Sequence, residues 1–290
     1  MTAPGIAPRR GQFIEPSPIT AANIGEQRIS ILDQGESGGG KTHFICTMPQ
    51  PIIVGQTDPN MAVINGFIQG GANITVYPLT TWAEFEWFVR KTKCREWNAA
   101  TVALDSYTFM GDRLVLEKMD DPSSTKSDGN LKLQVWNHVK NDQWQVVMDL
   151  VGATSPIAGK PAYHVVVTIH EREEYEKTLV PGATGEAQFL SKLVGVNPSV
   201  PGGLREGFGR MFDCVFIAQE RPRTEKQTNG SMRVVGSEHL LWTVPPDHLR
   251  HTKDGVGGKA GRKALPPTVE NTWTALCAAW GVDPLTMKAL

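Results

Sequence analysis

The 290-residue sequence has few of the features that mark secreted or membrane-spanning proteins. No apolar run reaches the roughly 18 residues that a membrane-spanning helix needs, and the N-terminal residues lack the apolar core of a signal peptide. Four cysteines are widely spaced without a CxxC pair, which argues against a disulfide framework. We therefore expect a cytoplasmic protein with reduced, mostly buried thiols. These cysteines are Cys46, Cys94, Cys214 and Cys277.

The sequence also lacks a charge excess, because its formal net charge is −1. Any nucleic-acid contact must then come from a local basic patch and not from a global positive field. A hydrophobic content of 40% with eight tryptophans is enough for a substantial core, in one large domain or two small ones. The Pro- and Gly-rich residues 1–24 predict a flexible tail, followed by a core over 25–270 and a C-terminal helix and tail over 271–290.

A glycine-rich segment is the most informative part of the chain. Residues 28–42 read RISILDQGESGGGKT and satisfy the phosphate-loop pattern G-x4-G-K-[ST]. Alternating apolar residues before the glycines predict a strand, and HFICTM after them predicts a short helix that ends at Pro49. Glycine backbone N–H groups and a helix N-terminus together form an anion site, which predicts binding of a nucleotide's phosphates.

The phosphate-loop chemistry assigns a role to each side chain of this segment. Lys41 is expected to reach the β- and γ-phosphates, and the Thr42 hydroxyl is expected to bind Mg²⁺. Glu36 would repel phosphate, so we expect its side chain to point to solvent. The predicted nucleotide-binding residues are Gly35, Glu36, Ser37, Gly38, Gly39, Gly40, Lys41, Thr42 and His43.

Strand and helix patterns alternate after this loop, which predicts an α/β fold with a mainly parallel central sheet flanked by helices. A capping box at Thr81 and Glu84 starts a helix whose aromatic face is expected to pack in the core and not to stack on bases. Asn271 is the expected N-cap of the last helix. The predicted strands are 51–55, 73–79, 99–106, 162–171, 213–219 and 239–244, and further helices are predicted over 131–151 and 271–280.

Acidic and histidine residues follow three of the predicted strands. Asp105 ends an apolar strand and is expected to position Mg²⁺, although an aspartate there could simply cap the next helix. Asp58 could polarise the attacking water or could shape the turn before Pro59, and the sequence favours neither role. His170 and Glu171 end a β-branched strand, where they could sense the γ-phosphate; a structural histidine is the alternative. Glu171 is the next candidate for the general base.

A basic, glycine-spaced segment lies between residues 248 and 263. Its glycines indicate a mobile loop that could reach phosphates, either those of DNA or those of ATP bound by a neighbouring subunit. A solvated loop is the alternative. The cationic candidates are Arg250, Lys253, Lys259, Arg262 and Lys263.

Together these segments resemble the RecA-type branch of phosphate-loop ATPases, and above all phage-encoded RecA-like ATPases of single-strand annealing and recombination. The resemblance runs over about residues 26–270. It rests on GESGGGKT, PIIVGQTD, VALDS and VVVTIHE, then on VPGGLREGFGRMFDCVFIA (200–218) and HTKDGVGGKAGRKALPP (251–267).

The resemblance implies a RecA-like P-loop NTPase core that uses ATP and Mg²⁺ and acts on single-stranded DNA. It also implies a homo-oligomer, a ring or a filament, in which a Lys or Arg of one subunit stabilises the γ-phosphate of the next. A single-strand-binding protein is a further candidate partner, and the host cytoplasm would be the location if a phage encodes the chain. By position, Asp58 stands where these enzymes carry a catalytic glutamate, His170 and Glu171 couple nucleotide to DNA, and residues 172–206 form the DNA-facing loop.

Two other functions remain open from the sequence. One is a P-loop motor or helicase loader of another branch. The other is a nucleotide-binding structural protein with little turnover, since Asp58 is one methylene shorter than the expected glutamate. A small-molecule kinase is less favoured, because no arginine-rich lid segment is visible.

Overall fold

The computed structural model describes residues 28–157, 159–181, 187–200, 204–227, 231–259 and 261–290; the predicted tail over 1–24 lies outside them. These residues form ten strands and seven α-helices. The strands are β1 Ser30–Gly35, β2 Ile52–Gln56, β3 Ile74–Pro78, β4 Thr101–Asp105, β5 His164–Pro181, β6 Ala187–Pro198, β7 Cys214–Lys226, β8 Met232–Trp242, β9 Lys253–Asp254 and β10 Thr268–Glu270. The helices are α1 Lys41–Thr47, α2 Ala62–Gln69, α3 Trp82–Lys93, α4 Tyr107–Met119, α5 Leu133–Val151, α6 Arg205–Phe208 and α7 Trp273–Trp280.

The strands form one mixed sheet in the order β10-β8-β7-β1-β5-β4-β2-β3, with β6 added to β5 and β9 added to β7. Its centre is parallel, since β1 pairs with β5 and β7, β4 pairs with β5 and β2, and β2 pairs with β3. The pairs β7–β8, β8–β10, β5–β6 and β7–β9 are antiparallel. The expectation of a mainly parallel sheet is therefore wrong.

Two long hairpins account for this difference. β5 and β7 run past the parallel centre and return as β6 and β8, so most of the segment 172–206 that was expected to be a loop is a hairpin. The first five residues of β7 are buried and the last eight are exposed. Residues exposed on both faces leave no apolar alternation in the sequence, and this is why the strand pattern did not reveal the outer parts of these strands.

Two apolar cores lie on the two faces of the sheet. Helices α3, α4 and α5 cover one face, and α1, α2 and α7 cover the other. The aromatic face of α3 is buried, as predicted, and its residues Trp82, Phe85, Phe88 and Val89 belong to the first core. Helix α2 was not predicted, because it is short and Ile64 is its one buried residue.

The helix starts confirm one capping prediction and correct another. Thr81 and Glu84 form the predicted capping box, in which Glu84 N donates to Thr81 Oγ1 at 3.2 Å and Thr81 N donates to Glu84 Oε2 at 3.0 Å. The N-cap of α7 is Thr272, whose Oγ1 accepts from Ala275 N. Asn271, the predicted cap, instead donates from Nδ2 to the Gly40 carbonyl at 2.9 Å.

The cysteines agree with the expectation of free, mostly buried thiols. All four are free, and three of them are buried, with Cys94 partly exposed. Among the described residues, the helices are too short or too polar to cross a membrane.

Loss of the α3 capping box should lower stability without changing the site. In Thr81→Ala the Glu84 N–H loses its side-chain acceptor, so we expect the free energy of unfolding to fall by about 1 kcal/mol. Urea unfolding measures this value. Glu86→Ala, an exposed change on the same helix, should alter it by less than about 0.5 kcal/mol. Equal effects of the two substitutions would contradict a stabilising cap.

Candidate functional site

The carboxyl ends of the central parallel strands meet at one edge of the sheet. Gly35 at the end of β1 lies in register with His170 of β5, and Gln56 at the end of β2 lies in register with Asp105 of β4. The glycine loop 35–40 follows β1 at this edge, and α1 begins at Lys41. The residues predicted separately from three strand ends are therefore brought to the same edge as the glycine loop.

Two glycines are required by the backbone of the loop. Gly35 has φ +152°, and a Cβ there would lie 2.3 Å from the Ala218 carbonyl oxygen of β7. Gly40 caps α1 with φ +97°, and a Cβ there would lie 2.5 Å from Asn271 Nδ2. The loop is thus pressed against β7 on one side and the start of α7 on the other, so side chains at these two positions would collide.

Lys41 is folded into the loop. Its Nζ donates to the Gly35 carbonyl at 2.8 Å and to the Glu36 carbonyl at 2.7 Å, and the residue is 6% exposed. Burial lowers the pKa of Lys41, and the negative charge of Asp33 opposes that shift most strongly. The Glu36 residue is exposed, in agreement with the expectation for it. His43 is held by a hydrogen bond between its Nδ1 and the Asn271 carbonyl oxygen at 3.1 Å.

A chain of three side chains joins α1, β4 and β5. Thr42 Oγ1 donates to Asp105 Oδ2 at 2.7 Å, and Thr168 Oγ1 donates to Asp105 Oδ1 at 2.6 Å. A hydroxyl beside a carboxylate suits Mg²⁺, which takes oxygen ligands and keeps several waters when it binds to proteins. Thr42 and Asp105 could therefore hold the cation, with Thr168 orienting the carboxylate. Sequence reasoning missed Thr168, because a threonine inside a β-branched strand carries no distinguishing pattern.

Asp58 forms a turn contact and also lies near the phosphate loop. Its Oδ1 accepts a hydrogen bond from Asn60 N at 2.8 Å, as expected of a turn aspartate. Its charge also raises the pKa of Lys41 and of His170, so it lies within electrostatic reach of the loop.

His170 lies beside the phosphate loop, in the strand next to β1. Its backbone N–H donates to Thr108 Oγ1 at 3.0 Å, and its ring packs edge-on against Phe109 with 5.7 Å between centroids. Burial lowers the pKa of His170, and the Lys41 charge adds to this shift. A neutral, half-buried imidazole at this place could accept or donate a hydrogen bond near a bound phosphate.

Glu171 is held by a basic residue that the sequence assigned to another role. Arg250 Nε donates to both carboxylate oxygens of Glu171, at 3.1 and 3.2 Å, and Arg250 Nη1 donates to Asp247 Oδ2 at 2.5 Å. The side chain of Glu171 is 5% exposed and that of Arg250 is 19% exposed. Arg250 therefore lies near the phosphate loop of its own subunit, because it lines the same cavity as residues 36–39.

Three further cations of the basic segment bond to backbone carbonyls of their own chain. Lys253 Nζ donates to the Phe212 carbonyl, Lys259 Nζ donates to the Gly255 carbonyl at 3.1 Å, and Arg262 Nη2 donates to the Met287 carbonyl at 2.9 Å. Gly255 N donates to the Asp213 carbonyl, and a Cβ on Gly255 would lie 2.3 Å from that oxygen. This glycine serves close packing. Lys263 is exposed.

Asp33 is a further residue that sequence reasoning passed over. It is fully buried in β1, and among the described residues the Ala218 backbone N–H is close enough to lower the pKa of its carboxylate, which has no well-aligned hydrogen-bond partner. Burial raises the pKa of Asp33 to about 8, with Asp105 adding to the rise and Lys41 opposing it. The sequence feature that could have indicated this residue is a single carboxylate inside the strand SILDQG, all six residues of which are buried.

A glycine loop between a buried parallel strand and a helix, with its threonine bonded to a strand-end aspartate, defines a P-loop nucleoside triphosphatase. The family model of the AAA domain matches residues 27–254, and the chain belongs to this family. This membership supports nucleotide binding. No curated protein matches the chain.

The titration of Asp33 should make stability depend on pH. Because its folded-state pKa of about 8 lies above the ordinary value of 3.8, the folded chain keeps a proton that the unfolded chain releases. The free energy of unfolding should therefore fall as the pH rises from 4 to 8, by up to about 1.4 kcal/mol per pH unit. Asp33→Asn should flatten this dependence in urea unfolding between pH 5 and 8. Glu225→Gln, an exposed control on β7, should not, and equal slopes in both variants would contradict the assignment.

Proposed function

We propose that this protein is a Mg²⁺-dependent ATPase of RecA type that acts on single-stranded DNA, in recombination or replication of the phage kind. The hydrogen bond from Thr42 to Asp105 is the observation that supports the ATPase part most directly. It joins the phosphate-loop hydroxyl to the strand-end carboxylate, and these are the two protein groups that such a site needs for its cation.

The site residues divide the work of phosphoryl transfer between them. The loop N–H groups and Lys41 bind the phosphates, and Lys41 then exchanges its carbonyl contacts for phosphate oxygens. Thr42 and Asp105 would hold Mg²⁺, which when bound would supply positive charge against the charge that develops on the phosphates. Asp58 and His170 both interact electrostatically with Lys41. Asp58 is the candidate that orients the attacking water, and His170 is the candidate that senses the γ-phosphate.

A nucleotide-binding protein with slow turnover is the second candidate, and one observation favours it. Both candidate bases already have partners, since Asp58 accepts from Asn60 N and Glu171 accepts from Arg250. A base engaged in this way activates water poorly unless the contact opens. Measured turnover with and without DNA separates the two functions.

A basic cavity supports single-stranded DNA as the partner. It has a volume of about 370 Å³ and lies between the end of β6, α6 and the segment before β9. Its cationic lining residues are Arg210, Lys253 and Arg205, the last of which is ion-paired with Glu174. Gln34, one residue before the phosphate loop, also lines it and donates from Nε2 to the His251 carbonyl at 2.9 Å. The nucleotide loop and the proposed DNA contact would thus share β1.

The proposed assembly is a homo-oligomer, ring or filament, with ATP at the subunit interfaces. Lys253, Lys259, Arg262 and Lys263 remain the candidates for a cation given to a neighbouring site, although three of them bond carbonyls of their own chain. A single-strand-binding protein remains a proposed additional partner.

Two substitutions test the nucleotide chemistry. Lys41→Ala should weaken ATP binding and lower hydrolysis by on the order of 100-fold or more, because the charge opposite the phosphates is lost. Asp105→Asn should keep ATP affinity within a modest factor but remove turnover, because the Mg²⁺ geometry is lost. Calorimetry and phosphate release measure the two effects. Hydrolysis at the wild-type rate in Lys41→Ala would refute the proposal.

Binding of single-stranded DNA should depend on the salt concentration. Binding of a fluorescent oligonucleotide with ATP present should weaken steeply between 50 and 200 mM salt, since each phosphate contact contributes a slope of about 0.7 on single strands. Arg210→Ala should weaken binding and reduce that slope. Lys226→Ala, at the exposed outer end of β7, is the matched control. Negligible DNA binding with and without ATP would exclude this partner.

A further inference from the structure

The guanidinium of Arg250 and the carboxylate of Glu171 face the phosphate loop of the same subunit. A cavity of about 270 Å³ is lined by loop residues 36–39 and by residues that include Glu171 of β5, Glu220 of β7, and Asp247 and Arg250 of the segment after β8. Glu171 lies close enough to Lys41 to raise the pKa of its ammonium. A carboxylate this near the loop acts directly on any phosphate that the loop binds.

We propose that Arg250 is a positioning residue that works in cis: it neutralises the buried Glu171 and so permits polyphosphate to bind in the first half of the loop. This inference rests on the proposed nucleotide binding. The sequence made Arg250 a candidate for contact with DNA or with ATP of a neighbouring subunit. The proposed role is different from both.

Charge and burial support this role. Glu171 is 5% exposed, so water screens its charge poorly, and Arg250 is the cation bonded to both of its oxygens. Without Arg250, the buried carboxylate of Glu171 would be uncompensated beside a cavity that already holds the exposed carboxylates of Glu36 and Glu220, and it would face the anionic phosphates with little screening by water. Asp247 would be affected less, because its side chain is 33% exposed and Leu249 N donates to it.

The same pair also connects the nucleotide loop to the β5–β6 hairpin. Glu171 pairs with Pro198 at the base of the hairpin, and Val196 N of β6 donates to the Leu249 carbonyl beside Arg250. Arg250 is therefore held from two sides by residues of its own chain. This places the guanidinium at the loop without any contribution from a second subunit.

A double-mutant cycle tests the proposal by calorimetric titration of the full chain with MgATP, MgADP and adenosine. Arg250→Ala should weaken MgATP binding at least tenfold and MgADP binding less, and it should leave adenosine unaffected, because repulsion grows with phosphate charge. Glu171→Gln alone should keep or improve affinity. The double variant Arg250→Ala with Glu171→Gln should return to within about threefold of wild type.

Controls separate charge from misfolding and from failure of the proposed function. Arg223→Ala, an exposed arginine on the outer part of β7, should bind as wild type does, and thermal melting checks that every variant is folded. Wild-type affinity in Arg250→Ala, or a double variant as weak as Arg250→Ala, would overturn the role in neutralising Glu171. Either result would leave the proposed nucleotide binding standing, provided that wild type binds ATP and Lys41→Ala does not. A wild-type chain that binds no ATP would overturn both the proposed nucleotide binding and the role of Arg250.

Discussion

The Asp105 carboxylate accepts hydrogen bonds from Thr42 on α1 and from Thr168 on β5, and the geometry of the site depends on this contact. It connects the helix that follows the glycine loop to two strands of the parallel centre. Because β4 and β5 are neighbours and β5 also pairs with β1, one carboxylate sets the position of the loop threonine relative to three strands. The contact is possible only with the strands parallel and in this register.

The loop is also fixed from the opposite side, by close packing. Gly35 and Gly39 lie against the Ala218 carbonyl of β7, and Gly40 lies against Asn271 before α7. Loop shape therefore depends on two distant segments, one of which, at Asn271, lies 231 residues after Gly40 in the chain. Buried charges are concentrated around it, with Lys41 enclosed near Asp33, Asp105 and Glu171. Such a site has many electrostatic neighbours in a region of low dielectric, so the charge of each one matters for the others.

Glu171 illustrates how the site and the rest of the molecule are joined. It follows His170 in β5, begins the pairing of β5 with β6 and bonds to Arg250 from a loop after β8. The cavity that contains Arg210 is lined by the end of β6 in the same hairpin and by Gln34 of β1. The hydrogen bonds from Gln34 to His251 and from Arg250 to Glu171 thus join β1 and β5 to the segment after β8.

The sequence alone determined the glycine loop with its strand and helix, the apolar strand before Asp105 and the capping box of α3, because each depends on local spacing and backbone propensity. It did not reveal the outer parts of β5 and β7. Residues 172–177 of β5 are mostly exposed and the last eight residues of β7 are all exposed, so neither segment has an apolar period. Nor did the sequence reveal the burial of Asp33, the Thr168 contact or the pairing of Arg250 with Glu171. These depend on which distant segments meet, and tertiary packing decided them through sheet register and the exclusion of water from charged groups.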